Sequence, residues 1–334
     1  MFFKKTNNAI FFYLLAILFA LLPFHAFLVT FLNQLFFDSA TSAPLFLRMW
    51  KEGLIFLLAI LLGWQVLTRK IKIAFNALDY AVLAYFLLGI LSAIFITQDL
   101  KIAVYGAKYD FVFLAFYLIV RQFPFTEKQI QQFLKIILIS AGVAIIFGLL
   151  QKFILPDNFL TYFGYSLDHS HFSPNKPLAY CQKVSGTATC RIQSFLSGPN
   201  QFGSYLLVVL PLFFIQIWQF QSPLPARRNF SVGGKRGIQG VFKKAKSILS
   251  FPFLSFSRIA GESLSPQNSS SLILTQNISL FLLGILTLIF TYSRASWLGF
   301  AGMCFVGVIL LIKNKKRCWI IEIFPCLNFK KIFL

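Results

Sequence analysis

Two arginines stand in settings that suit them to hold a phosphorylated group. The first heads the stretch Arg191-Ile192-Gln193-Ser194-Phe195-Leu196-Ser197-Gly198-Pro199-Asn200-Gln201-Phe202-Gly203, which runs into an apolar segment. Gly-Pro-Asn is turn chemistry at a helix entrance: proline presets its own dihedral, and Asn200 is expected to cap the free backbone amides. The second lies in Thr291-Tyr292-Ser293-Arg294-Ala295-Ser296-Trp297-Leu298-Gly299, where Arg294 separates two uncharged apolar runs, 272–292 and 295–312. Each run is about as long as a bilayer-crossing helix, ~20 residues, and a charge fixed between two of them is costly unless it has a task. Arginine presents a planar, permanently charged fork to phosphate oxygens, and a helix N-terminus adds partial positive charge. Donors so placed would stabilise the charge that develops on a departing diphosphate. The plain alternative is that Gly-Pro-Asn only turns the chain while both arginines snorkel to ordinary lipid headgroups.

The elements that must position these residues are apolar helices. The chain has 334 residues, 57% of them hydrophobic and 12% charged, with 43 phenylalanines. That composition excludes a soluble domain and fits an all-α polytopic membrane protein. Eight spans are expected, at about 10–32, 51–68, 79–97, 102–120, 136–155, 202–220, 272–292 and 295–312. The first is too long, and too lacking in a small-residue cleavage site, for a signal peptide.

The net charge of +21 would suggest nucleic acid in a soluble protein, but here the placement of the charges matters more, and no nucleic-acid partner is expected. With a cytoplasmic N-terminus, 20 of the 31 lysines and arginines fall on inner segments and nine on outer ones, the last two being Lys330 and Lys331 in the tail. The positive-inside rule therefore predicts that orientation and puts Arg191 and Arg294 at the outer face.

Two connections are long. The outer one, about 156–201, holds His169, His171, Cys181 and Cys190; the inner one, about 221–271, is rich in Ser, Gly, Pro, Lys and Arg. Cys181 and Cys190 either form a bridge that would hold the backbone just before Arg191, or remain two thiols. Asp168, His169 and His171 lack a third ligand at a recognisable spacing, so no metal is expected. Cys304 reads as a small packing residue, Cys318 and Cys326 carry no metal signature, and His25 after Pro23 reads as structural. Residues 238–249 alternate apolar positions with Lys243, Lys244 and Lys246, a basic amphipathic helix on the inner leaflet or else a solvated linker.

In their order, the arginine-led loop ending in Gly198-Pro199-Asn200, a span, a cytoplasmic loop, another span and the Thr291–Gly299 motif resemble the O-antigen ligase and polymerase superfamily of bacterial envelope glycosyltransferases. The likeness covers about 102–312, with its specific motifs confined to 191–205 and 291–299. It divides the chain into N-terminal spans (1–135), a ligase-like core (136–317) and an atypical tail (318–334). The resemblance implies a GT-C-like helical bundle in the bacterial cytoplasmic membrane. It further implies metal-independent, cofactor-free transfer of a glycan from an undecaprenyl-diphosphate donor to a lipid or glycan acceptor hydroxyl. Carried onto this chain, Arg191 and Arg294 would bind and polarise the diphosphate. Gly198 and Asn200 would shape the entrance, Ser293 would join the substrate-binding set, and Lys108 would fill a basic position near the fourth span's outer end.

One departure stands out. The resemblance implies a further outer loop with a general-base histidine, whereas this chain passes through Lys313-Asn314-Lys315-Lys316-Arg317 into a short tail. The simplest expectation is a truncated or frame-shifted product lacking that base, a loss of about 10²–10⁴-fold in rate. Four readings stay open at this point: ligase, polymerase, inactive remnant, and a transporter or flippase. The transporter would need paired charges or broken helices at several midplanes.

Overall fold

The computed structural model describes residues 2–37, 43–68, 71–95, 100–167, 177–221 and 266–313. Its helices are α1 (Phe2–Leu21), α2 (His25–Phe36), α3 (Leu45–Arg48), α4 (Trp50–Leu67), α5 (Ala77–Phe95), α6 (Leu100–Arg121), α7 (Glu127–Phe153), α8 (Pro199–Gln221), α9 (Pro266–Phe290) and α10 (Arg294–Lys313). A 3-10 turn, Phe159–Phe163, and a hairpin of β1 (Gln182–Lys183) and β2 (Cys190–Arg191) lie between α7 and α8.

Among the described residues, six helical stretches are long and apolar enough to cross a membrane: Ala9–Phe36, Trp50–Leu67, Ala77–Phe95, Glu127–Phe153, Pro199–Ile217 and Ile273–Phe290. Helices close every backbone hydrogen bond within one segment, which hydrocarbon demands. Their side chains point apolar groups outward: Leu67 is 81% exposed, Phe95 79% and Leu282 59%. Water would not tolerate so much contiguous apolar surface, and lipid does. The expected first span is two helices rather than one. Pro23 has no N–H to continue the ladder, so α1 passes through a 3-10 turn, Leu22–Phe24, before α2 resumes at His25.

The chain divides into two compact units that interleave in sequence. One takes α1, α3 to α6, α7 through Phe133 and α10 from Ala301; the other takes α2, α7 from Leu134, the hairpin, α8, α9 and α10 through Phe300.

In the first unit Phe11, Leu15, Leu58, Phe123 and Phe133 form the core. Helix α5 begins with a reciprocal cap: Asn76 N donates to Asp79 Oδ2 at 2.6 Å, and Asp79 N donates to Asn76 Oδ1 at 3.0 Å. The same carboxylate is ion-paired with Arg121, both side chains being buried, and accepts from Tyr117 Oη at 3.2 Å. Arg121 also donates to Ala74 O at 2.6 Å. Arg121 thus joins the end of α6 to the start of α5. Cys304 is exposed and not packed.

The second unit is built on α7, α8 and α9. Leu138, Ala141, Ala144 and Ile145 from α7 meet Phe202, Leu206, Val209, Leu210 and Phe213 from α8, with Leu288 from α9. At Gly284 side chains of the other two helices press on α9: a Cβ there would lie 2.6 Å from Leu210 Cδ2 and 3.2 Å from Ile145 Cδ1. Helix α2 joins this unit through rings, Phe27 meeting Phe163 at 5.1 Å and Phe195 at 5.2 Å.

Candidate active site

The segment that carries Arg191 is fastened at every step. The Cys181–Cys190 disulfide, with 5.5 Å between its Cα atoms, closes the hairpin in which Gln182 pairs with Arg191 and Lys183 with Cys190. Of the two cysteine alternatives, the bridge is the one found. Lys152, near the end of α7, donates from Nζ to Cys190 O at 3.2 Å. Beyond Arg191, Ile192 is buried and its N–H donates to Phe290 O at 3.2 Å. Gln193 donates to Ala179 O and Tyr180 O, at 3.1 and 3.2 Å. Ser194 then takes a left-handed backbone, φ 54°, while its hydroxyl donates to Ala144 O at 2.7 Å and its N–H to Gln151 Oε1 at 3.0 Å.

The other arginine sits on a tight elbow between α9 and α10. Thr291 directly follows α9, its hydroxyl donating to Leu288 O at 2.7 Å. Tyr292 follows at φ 49°, a conformation that costs a bulky residue about 1–2 kcal/mol and is held only where its surroundings insist on it. Ser293 is the N-cap of α10: its carbonyl accepts Trp297 N–H at 3.0 Å, and its buried hydroxyl shares a 2.9 Å hydrogen bond with the Ser296 hydroxyl. The Trp297 indole donates back to Leu288 O at 3.0 Å. Among the described residues, Ser194 and Tyr292 are the non-glycine positions with positive φ, three residues after Arg191 and two before Arg294.

Arg191 joins the two segments. Its Nε donates to Thr291 O at 2.8 Å, and its Nη2 donates to Asn200 Oδ1 at 2.7 Å and to Tyr292 O at 3.3 Å. Nη1 donates to no described residue. Partial burial pulls the guanidinium below the usual arginine value, because desolvation disfavours the charged form. Arg294 is the first residue of α10, exposed and without a side-chain partner among the described residues.

Asn200 does not cap the helix as expected. Helix α8 starts at Pro199, the position where proline's missing N–H costs nothing, so Asn200 is already helical and turns its oxygen to Arg191. Gly198 takes the cap position, its carbonyl accepting Phe202 N–H at 3.0 Å. Gly203, one turn on, lies against the elbow: a Cβ there would come within 2.9 Å of Ser296 Cβ and 3.2 Å of Ser293 Cβ.

The structure therefore brings Arg191, Gly198, Asn200, Ser293 and Arg294 into one unit. Lys108 falls in α6, in the other unit, and its side chain lies outside the described residues, as do Asp168, His169, His171, the segment 238–249, Cys318 and Cys326. Among the described residues no group of three His, Cys, Asp or Glu side chains is placed to hold a metal ion. The sequence reading missed the carbonyls of Thr291 and Tyr292 as Arg191's acceptors. Every residue has a carbonyl, so no side-chain pattern could have flagged them.

The fold and its outward apolar surface define a multi-pass helical membrane protein. No family model, curated protein or solved structure matches the chain. The functional reading below therefore stands on motif residues and geometry.

Proposed function

We propose that this chain is a membrane glycosyltransferase of the O-antigen ligase type. It moves a glycan from an undecaprenyl-diphosphate donor to an acceptor hydroxyl at the outer face of the bacterial cytoplasmic membrane. In this reading eight spans form a GT-C-like bundle with the N-terminus in the cytoplasm. The acceptor oxygen bonds to the anomeric carbon as the bond from that carbon to the diphosphate breaks. The electron pair leaves on the diphosphate, and the hydroxyl proton passes to a base or to water. Arg294, exposed at a helix N-terminus, and the open Nη1 of Arg191 would neutralise the leaving charge, an effect strongest where water is excluded. The same chemistry with a glycan as acceptor would make the protein a polymerase.

One observation carries this reading. Two motifs, with Arg191 and Thr291 a hundred residues apart, meet through a guanidinium whose Nη1 has no partner among the described residues. The test is transfer in proteoliposomes, with the purified chain, a synthetic undecaprenyl-diphosphate oligosaccharide and a lipid acceptor. Arg294→Lys keeps the charge and loses the fork, so it should cut transfer at least tenfold while membrane insertion is unchanged. Undiminished transfer by Arg294→Lys would return that residue to the role of a headgroup anchor.

A further inference from the structure

Lys152 reaches the Arg191–Arg294 corner from α7. Its ammonium donates to the carbonyl just before Arg191 and lies 5.9 Å from the centroid of the Phe290 ring. Phe290 is also the residue whose carbonyl takes the Ile192 N–H. Three positive groups from three elements thus attach within residues 290–294: Lys152 at Phe290, Arg191 at Thr291 and Tyr292, and Arg294 by sequence. Among the described residues none of the three has a carboxylate partner. Like charges gathered this way repel, and an anionic ligand would supply the countercharge that the described residues do not. An ammonium has three donors, and Lys152 spends one of them on Cys190.

The count of charges narrows the ligand. A diphosphate esterified at both ends carries two ionised oxygens. Once the glycan has left, the terminal phosphate ionises further, with a second pKa of about 6, and the group approaches three negative charges. A lipid monophosphate stops near two. Resting on the function proposed above, we infer that Lys152 is a third cation of the diphosphate site. Together the three cations favour the released lipid diphosphate over lipid monophosphate, and Lys152 supplies the increment that matches the charge formed in transfer.

The test is equilibrium binding of tritiated undecaprenyl diphosphate and undecaprenyl monophosphate to the full chain in phosphatidylcholine nanodiscs. The expected result is a preference for the diphosphate. Lys152→Gln lowers diphosphate affinity about tenfold and leaves monophosphate affinity nearly unchanged, in line with a charge-assisted hydrogen bond. Lys152→Met keeps the aliphatic stem over Phe290 and serves as a second variant, with the same loss expected. Lys183→Gln, an exposed lysine on the same hairpin, should change nothing. If both Lys152 variants bind diphosphate like the parent while Arg294→Gln does not, Lys152 is no ligand and the diphosphate site still stands. If the parent binds diphosphate no better than the Arg294→Gln chain, the site itself is refuted and this inference with it.

Discussion

Arg191 and Thr291 are a hundred positions apart in the chain and are joined by a hydrogen bond of 2.8 Å from Nε to the carbonyl oxygen. The bond ties the end of β2 to the end of α9. It makes Arg191 a fastener of the elbow that presents Arg294, in addition to the anion donor of the proposed function. The two arginines therefore have different duties, and substitution should separate them.

Arg191→Lys removes the planar fork and leaves the carbonyls of Thr291 and Tyr292 and the amide oxygen of Asn200 short of a donor. The expected loss is about 1–3 kcal/mol of stability, seen as a lower melting temperature of the purified protein, together with loss of transfer. Arg294→Lys touches no partner and should melt with the parent while transfer falls. Equal melting of the two variants would show that Arg191 does not fasten the elbow.

Asn200→Asp places a carboxylate 2.7 Å from the Arg191 Nη2 position. A charge-assisted bond is stronger than the neutral one, so the fold should be unharmed or firmer by up to about 1 kcal/mol. Its negative charge offsets that of Arg191 and repels an anion at Nη1, so in the proposed function undecaprenyl diphosphate affinity should drop about tenfold. Calorimetry and binding on one sample read both effects, and they should move in opposite directions.

Gly203→Ala drives a methyl group into Ser296 and Ser293 beneath the elbow. Overpacking of this sort costs about 1–3 kcal/mol. Ser296→Gly should relieve much of it, and a double-mutant cycle should give a coupling above about 0.5 kcal/mol. Additive effects would place the strain elsewhere.

Reduction of Cys181–Cys190 opens a loop whose ends are nine residues apart. Chain entropy alone puts the cost near about 2–3 kcal/mol. The hairpin would then hold Arg191 through the ladder and Lys152 only. The reduced protein and the Cys181→Ser/Cys190→Ser variant should lose the same number of degrees in melting temperature and the same share of transfer.

Hydropathy made the helices legible because lipid-facing segments must be apolar for their whole length, and that signal survives without knowledge of the neighbours. Boundaries followed less well. Helix α7 begins at Glu127, well before the apolar stretch from 136, since Glu, Lys and Gln are good helix formers that a hydropathy reading passes over. Pro23 lies inside the first stretch, which runs from Ala9 to Phe36 as α1, a 3-10 turn and α2. At the site, residue types pointed to Arg191, Gly198, Asn200 and Arg294, but Asn200 followed the guanidinium rather than the cap. Arg121 entered the sequence analysis only as one of the inner-segment cations, because nothing local announces Asp79, 42 residues earlier, as its partner. Ion pairs and backbone acceptors are tertiary facts, and a single sequence carries them only indirectly.

The guanidinium of Arg191 also clamps the turn that follows α9, for it takes the carbonyls of Thr291 and Tyr292, directly after the last helical residue, Phe290. A ligand that orders Nη1 immobilises the whole fork, and with it the last turn of that helix. Occupancy of the site should therefore be felt along α9 as reduced fraying. Backbone amides at 287–292 should exchange with deuterated water more slowly when undecaprenyl diphosphate is bound, and Arg191→Lys should abolish the difference. In that sense the anion and the helix terminus share one bolt, and what tightens it from one side is registered on the other.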